Sequence, residues 1–129
     1  MVKAKHMSID KKILIVEDEA SIRKALTKKL MNEGAVVFEA GNGVDGLKVL
    51  KKEKIELILM DILMPLMDGV QMLKEMKKNR KYDKIKIIIL TNLQEYNSDR
   101  EVLEPHKDNY LIKSNYSLAQ IVEKIKKMK

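Results

Sequence analysis

The chain has 129 residues, 45% apolar but only 4% aromatic, with 26 basic against 19 acidic side chains and a formal net charge of +7. That length suits one domain with a substantial core, and the absence of cysteine excludes a disulfide framework, a thiolate metal site and a cysteine nucleophile. No stretch approaches the ~18 apolar residues of a membrane span, and the opening MVKAKHMSID lacks the apolar core of a secretory signal, so a cytoplasmic location is the simplest expectation.

Residues 1–10 read as an N-terminal extension, in which KHM has the look of a cloning remnant, ahead of a domain over 11–129. KKILIV (11–16) is a first strand. Residues 20–33 put Ile22, Ala25, Leu26, Leu30 and Met31 at helical spacing, stopped by Gly34. AVVFEA (35–40) is a second strand, and Val44, Leu47 and Leu50 mark a helix over 44–53. IELILM (55–60) follows, then a helix over 70–79 carrying Val70, Leu73 and Met76. KIIIL (86–90) is a fourth strand, 95–104 a weaker helix ended by Pro105, and NYLI (109–112) a fifth strand. Ser117 is placed to cap a last helix whose stripe is Leu118, Ile121, Val122, Ile125 and Met128.

Strands apolar on both faces, alternating with helices, predict an α/β fold: a doubly wound, five-stranded parallel sheet, (βα)5, in a single domain. Ligands of such sheets bind beyond the carboxyl ends of the strands. Those ends carry Glu17-Asp18 after the first strand, Asp61 after the third, Thr91-Asn92 after the fourth and Lys113 after the fifth. Clustered carboxylates repel one another unless cations neutralise them. Oxygen donors without histidine or cysteine favour Mg²⁺ or Mn²⁺. A carboxylate beside such an ion can act as a nucleophile toward phosphorus and form an acyl phosphate.

The motifs ILIVEDE (13–19), MDILMPLMDG (60–69), ILTN (89–92) and YLIKS (110–114) together resemble those of the response-regulator receiver domain of two-component signalling, from about Lys11 to Lys127. The resemblance implies a flavodoxin-like strand order. It implies Asp61 as phosphoacceptor, Glu17 and Asp18 as the acidic pair for Mg²⁺ with Asp18 the direct ligand, and the Leu63 backbone carbonyl completing the metal site. Thr91 becomes the switch hydroxyl, Tyr110 the switch aromatic and Lys113 the phosphoryl-binding lysine. Pro65, Asp68 and Gly69 match the turn after the acceptor. Leu63, Asn92 and Leu93 stand at tuning positions, where two leucines are expected to exclude water and prolong the aspartyl phosphate. The implied partners are a histidine kinase or phosphotransfer protein, or a small phosphodonor, and a downstream output protein or domain read through the surface formed by the fourth helix, the fifth strand and the fifth helix. The implied state is a monomer or a phosphorylation-dependent dimer. Such a domain is not an enzyme in its own right; it assists its own phosphorylation and dephosphorylation.

Three positions depart from the family pattern: Asn92 where a small residue is usual, Ser114 where proline usually follows the lysine, and His106-Lys107 in place of Gly-Ala. They keep open an alternative, a non-phosphorylated pseudo-receiver acting as an interaction module. Gly41-Asn42-Gly43-Val44-Asp45-Gly46 spells a dinucleotide fingerprint, but follows the second strand and is expected to lie away from the carboxylates. His6 and His106 have no helical context for phosphodonation, and Met60, Met64, Met67, Met72 and Met76 read as flexible core filler. The basic charge is almost all lysine, with Arg23, Arg80 and Arg100 the only arginines, so it is expected to form a solvated surface rather than a nucleic-acid site. The chain ends with the last helix, compatible with a stand-alone regulator or a part of a longer one.

Overall fold

The structure, a computed structural model, describes residues 8–93 and 99–128. The strands are β1 (Lys12–Val16), β2 (Val36–Ala40), β3 (Leu57–Met60), β4 (Lys86–Thr91) and β5 (Tyr110–Ile112). The helices are α1 (Ala20–Asn32), α2 (Gly43–Lys52), α3 (Gly69–Lys77), α4 (Arg100–Leu103) and α5 (Leu118–Lys127). All strand pairs are parallel, in the order β2-β1-β3-β4-β5. The order reverses at β1, so the crevice for a ligand opens beyond the carboxyl ends of β1 and β3.

Alternate residues of each strand feed two separate cores. Leu14, Val16, Ile58, Met60, Ile87 and Ile89 pack with Leu50, Met72, Leu73, Met76 and Leu103 on one face. Ile13, Ile15, Leu57, Leu59 and Ile88 pack with Leu26, Leu30, Ile121, Val122 and Ile125 on the other. The period of two in the strands and of 3.6 in the helices therefore meet at both faces. Ile9 joins the second core, and its N–H donates to the Glu33 carbonyl at 2.7 Å. Met60, Met72 and Met76 are buried and Met64 and Met67 pack against them, as expected of filler.

Some helical positions fall outside the apolar faces assigned to them. Met31, Val44 and Leu118 are exposed, because each sits at the flank of its helix rather than over the sheet. Of the helix expected over 95–104, residues 95–98 lie outside the described residues. The remainder forms α4 and then a 3₁₀ segment, Glu104–Asn109. α4 does end just before Pro105, and the proline also opens the turn that follows, since a missing N–H costs nothing in a first turn. None of the described helices is long and apolar enough to cross a membrane.

Candidate functional site

The sheet's own ladder carries the two key backbones one residue past their strands. The Glu17 N–H donates to the Ala40 carbonyl at 2.9 Å, and the Asp61 N–H to the Val16 carbonyl at 3.0 Å. Both side chains are buried, at 3% and 6% exposure, while Asp18 is exposed. Glu17, Asp18 and Asp61 each bring a carboxylate oxygen within 4.8 Å of the others. Lys113, arriving from the end of β5, sets its ammonium 2.8 Å from Asp61 Oδ2 and 2.9 Å from Glu17 Oε1.

The remaining carboxylate oxygens are held by the main chain. Asp61 Oδ1 accepts from the N–H groups of Ile62 at 2.7 Å and Leu63 at 3.2 Å. Glu17 Oε2 accepts from Glu19 N–H at 3.0 Å. Burial pushes the Glu17 carboxyl above its ordinary range, and the Lys113 hydrogen bond, the Glu19 N–H and the Lys113 charge only partly offset it. Burial also works against the Lys113 ammonium, but its hydrogen bonds to Asp61 and Glu17 outweigh that and hold its pKa raised. Three carboxylates against one ammonium leave the cluster two negative charges when all are ionised. Asp18 makes no hydrogen bond or ion pair with another described residue. An all-oxygen donor set with that residual charge and one exposed, unengaged carboxylate fits a hard divalent cation.

The loop after Asp61 is fixed by a close backbone approach. A Cβ on Gly69 would lie 2.6 Å from the Asp61 carbonyl oxygen and 2.9 Å from Ile62 Cα, so only glycine lets α3 start there. Asp68 caps that helix in a reciprocal box with Gln71. The glycine-rich stretch before α2 has a packing explanation. Gly43 donates its N–H to the Met67 carbonyl at 2.8 Å, and a Cβ on Gly43 or Gly46 would press into Met67 or Met72. This loop braces the segment that follows Asp61. Leu63 is 57% exposed, so of the two leucines expected to screen the acceptor only Leu93 is packed.

On the β4 side, Thr91 is fully buried and its Oγ1 accepts from Leu93 N–H at 3.3 Å. The Tyr110 hydroxyl donates to the Leu93 carbonyl at 2.6 Å, tying β5 to the same loop. Asn92 Oδ1 accepts from Ser114 N–H at 3.2 Å. A proline at 114 has no N–H to give, so the two departures from the family pattern form one contact. All peptide bonds among the described residues, Lys113–Ser114 included, are trans.

Sequence reasoning overlooked Arg23. Its Nη1 donates to the Glu17 carbonyl at 2.7 Å and its Nε to Glu39 Oε1 at 3.0 Å, clamping the β1–α1 loop to β2. Arg23 lies six residues beyond Glu17 on α1, and Glu39 is a charged residue inside an otherwise apolar strand. That conjunction was the available signal. His106 lies in the 3₁₀ segment, and His6 lies outside the described residues.

A sequence model described as the response regulator receiver domain matches residues 13–126. Sporulation initiation phosphotransferase F of Bacillus subtilis is 38% identical over 96 residues, covering 74% of this chain and 76% of that protein. The probable transcriptional regulator ycf27 of Pyropia yezoensis is 40% identical over 102 residues, 79% of this chain, which spans only 41% of that relative's length. Among solved structures, the response regulator protein TrrA of Thermotoga maritima, in complex with Mg²⁺-BeF, superposes with a TM-score of 0.75. It is 34% identical, with 91% of this chain and 97% of that one covered. A CheY-like receiver domain protein of Methanospirillum hungatei gives a TM-score of 0.78 at 30% identity, covering 90% of each chain. With its strand order, its acidic rim and these relatives in agreement, the chain belongs to the response-regulator receiver domains of two-component signalling.

Proposed function

We propose that this domain accepts a phosphoryl group on Asp61 from a histidine kinase, a phosphotransfer protein or a small phosphodonor. The observation that supports this reading most is the Asp61 environment: a buried carboxylate with one oxygen on two main-chain N–H groups and the other on a lysine ammonium. Oδ2 attacks phosphorus, the bond from phosphorus to the donor nitrogen or oxygen breaks, and the leaving group departs with its electron pair. Lys113, whose ammonium form Asp61 and Glu17 favour, shifts from the carboxylate to the incoming phosphoryl oxygens. Thr91 Oγ1 accepts from Leu93 N–H, which leaves its own proton free to donate to a phosphoryl oxygen.

A divalent ion, Mg²⁺ or Mn²⁺, would be held by Asp18 and Asp61, with Glu17 beside them and the Leu63 carbonyl completing the set, and it supplies charge neutralisation at the phosphoryl group. When Thr91 turns toward that group, the Leu93 segment follows, and the Tyr110 hydroxyl loses its partner on the Leu93 carbonyl. The phosphoryl charge is in this way transmitted to the α4-β5-α5 surface, where an output protein or domain reads it.

Incubation with acetyl phosphate and Mg²⁺ tests the reading by intact-mass analysis. One added phosphoryl group is expected, prevented when EDTA is present from the start and absent in Asp61→Asn. Labelling that persists in Asp61→Asn moves the acceptor elsewhere. No labelling of the unaltered protein by any donor leaves the pseudo-receiver alternative.

A further inference from the structure

The strongest charged feature outside the site lies at the opposite end of the sheet, where β1, β3 and β4 begin. A groove of about 940 Å³ runs there between the end of α2 and the chain leading into β4. Lys11 and Lys12 enter it from just before and at the start of β1, and Lys51, Lys52 and Lys54 from the end of α2 and the loop beyond. Lys81, Lys84 and Lys86 form the far wall. Against these eight lysines stand two acids, Glu53 and Glu56, so the lining carries a net +6 of the chain's +7. Everywhere else 18 basic residues face 17 acidic ones.

The charge is also left uncompensated. None of the eight lysines is ion-paired with a described residue, whereas six of the twelve other described lysines are: Lys24, Lys48, Lys78, Lys107, Lys113 and Lys126. The Glu56 carboxylate is already engaged, accepting from Lys12 N–H at 2.9 Å. Complementing the carboxyl end of α2 accounts for Lys51 and Lys52. It does not account for Lys54, Lys84, Lys86 or Lys12. Seven of the eight are exposed around a floor of Leu50, Ile55, Tyr82 and Ile85. Mutual repulsion of lysines around one groove opposes the folded state unless something negative settles among them.

We infer that this groove is a docking site for an acidic, amphipathic segment of a partner protein, separate from the phosphoacceptor end. Charge complementarity steers the segment in, and an apolar side chain on its other face meets Tyr82 and Ile85. The groove contains no arginine and one aromatic, which suits neither base recognition nor stacking of single strands. Its concavity sets the apolar floor below the lysine rim, the reverse of a surface that inserts apolar groups into a bilayer.

The test is fluorescence anisotropy on the full chain with a fluorescein-labelled peptide of repeating Glu-Glu-Leu-Leu. A DNA duplex of arbitrary sequence and phosphatidylserine vesicles serve as rival probes. The peptide binds the unaltered protein, and Lys51→Glu/Lys54→Glu/Lys84→Glu weakens it by ~10-fold or more, as expected for removal of steering and contact charges. Lys28→Glu/Lys74→Glu/Lys127→Glu, with the same change in net charge on other helices, changes it by less than ~2-fold because such charges are screened over that distance. The milder Lys51→Gln/Lys54→Gln pair repeats the loss with less risk to folding, and Tyr82→Ala weakens the peptide as well. Equal losses in the two triple variants overturn the proposal, since only net charge then matters. Tighter retention of duplex or vesicles than of peptide overturns it too.

Discussion

Asp61 follows a strand whose four residues are all buried, and its charge is tolerable there because both of its oxygens are engaged, one by two main-chain N–H groups and the other by the Lys113 ammonium. A second residue-scale feature is the Asn92–Ser114 contact, which joins the end of β4 to the residue after Lys113. Asn92→Ala and Ser114→Pro should each cost about 0.5–1 kcal/mol in denaturant unfolding, the usual net worth of one partly exposed hydrogen bond. The double variant should cost little more than either, because both remove the same bond. Full additivity would show that the contact has no energetic content. Leu93 is the packed member of the leucine pair, so Leu93→Asn should shorten the lifetime of the aspartyl phosphate several-fold while Leu63→Asn changes it less. Decay rates measured after removal of the donor decide this; an unchanged rate in Leu93→Asn contradicts the screening role.

The elements were largely legible because their signals are local. Alternating apolar runs, the Gly34 stop and the Ser117 cap all act within one turn or one strand. Ser117 accepts from Gln120 N–H while Gln120 reaches back to Ser117 N–H, a capping box. Ser117→Ala should lower stability by ~1 kcal/mol in thermal or denaturant unfolding; no change would mean that α5 is held by its Ile121, Val122 and Ile125 face alone. What was not legible depends on contacts distant in sequence. The strand order came from resemblance, since apolar runs do not encode which neighbour they pair with. Arg23 was missed because its partners, the Glu17 carbonyl and Glu39, meet it only after β2 is laid beside β1. Gly43 and Gly46 spelled a nucleotide motif because close packing against methionines and close approach to phosphate both require a missing Cβ.

Across the whole molecule, charge is segregated along the strands: a carboxylate cluster at their carboxyl ends and a lysine groove at their amino ends. His106, in the segment that leads into β5, gives stability a pH dependence. Burial, helped by the charge of Lys77, lowers its pKa from the ordinary 6.5. On acidification the unfolded chain therefore takes up the proton first, so this contribution is complete above the unfolded pKa and is lost as pH falls below it. Replacing His106 by Gln should flatten the fall in melting temperature between about pH 7.5 and pH 5.5. An equally steep fall would place the acid sensitivity elsewhere.

The central claim, that the converging acids, hydroxyl and ammonium make one aspartate phosphorylatable, is tested most directly by locating the modification. Sodium borohydride reduces an aspartyl phosphate to homoserine, which peptide sequencing by mass spectrometry assigns to a position. After treatment with acetyl phosphate and Mg²⁺, homoserine is expected at position 61 alone. Homoserine at position 18 or 68 instead, or none at any position while the protein remains folded, would contradict the account.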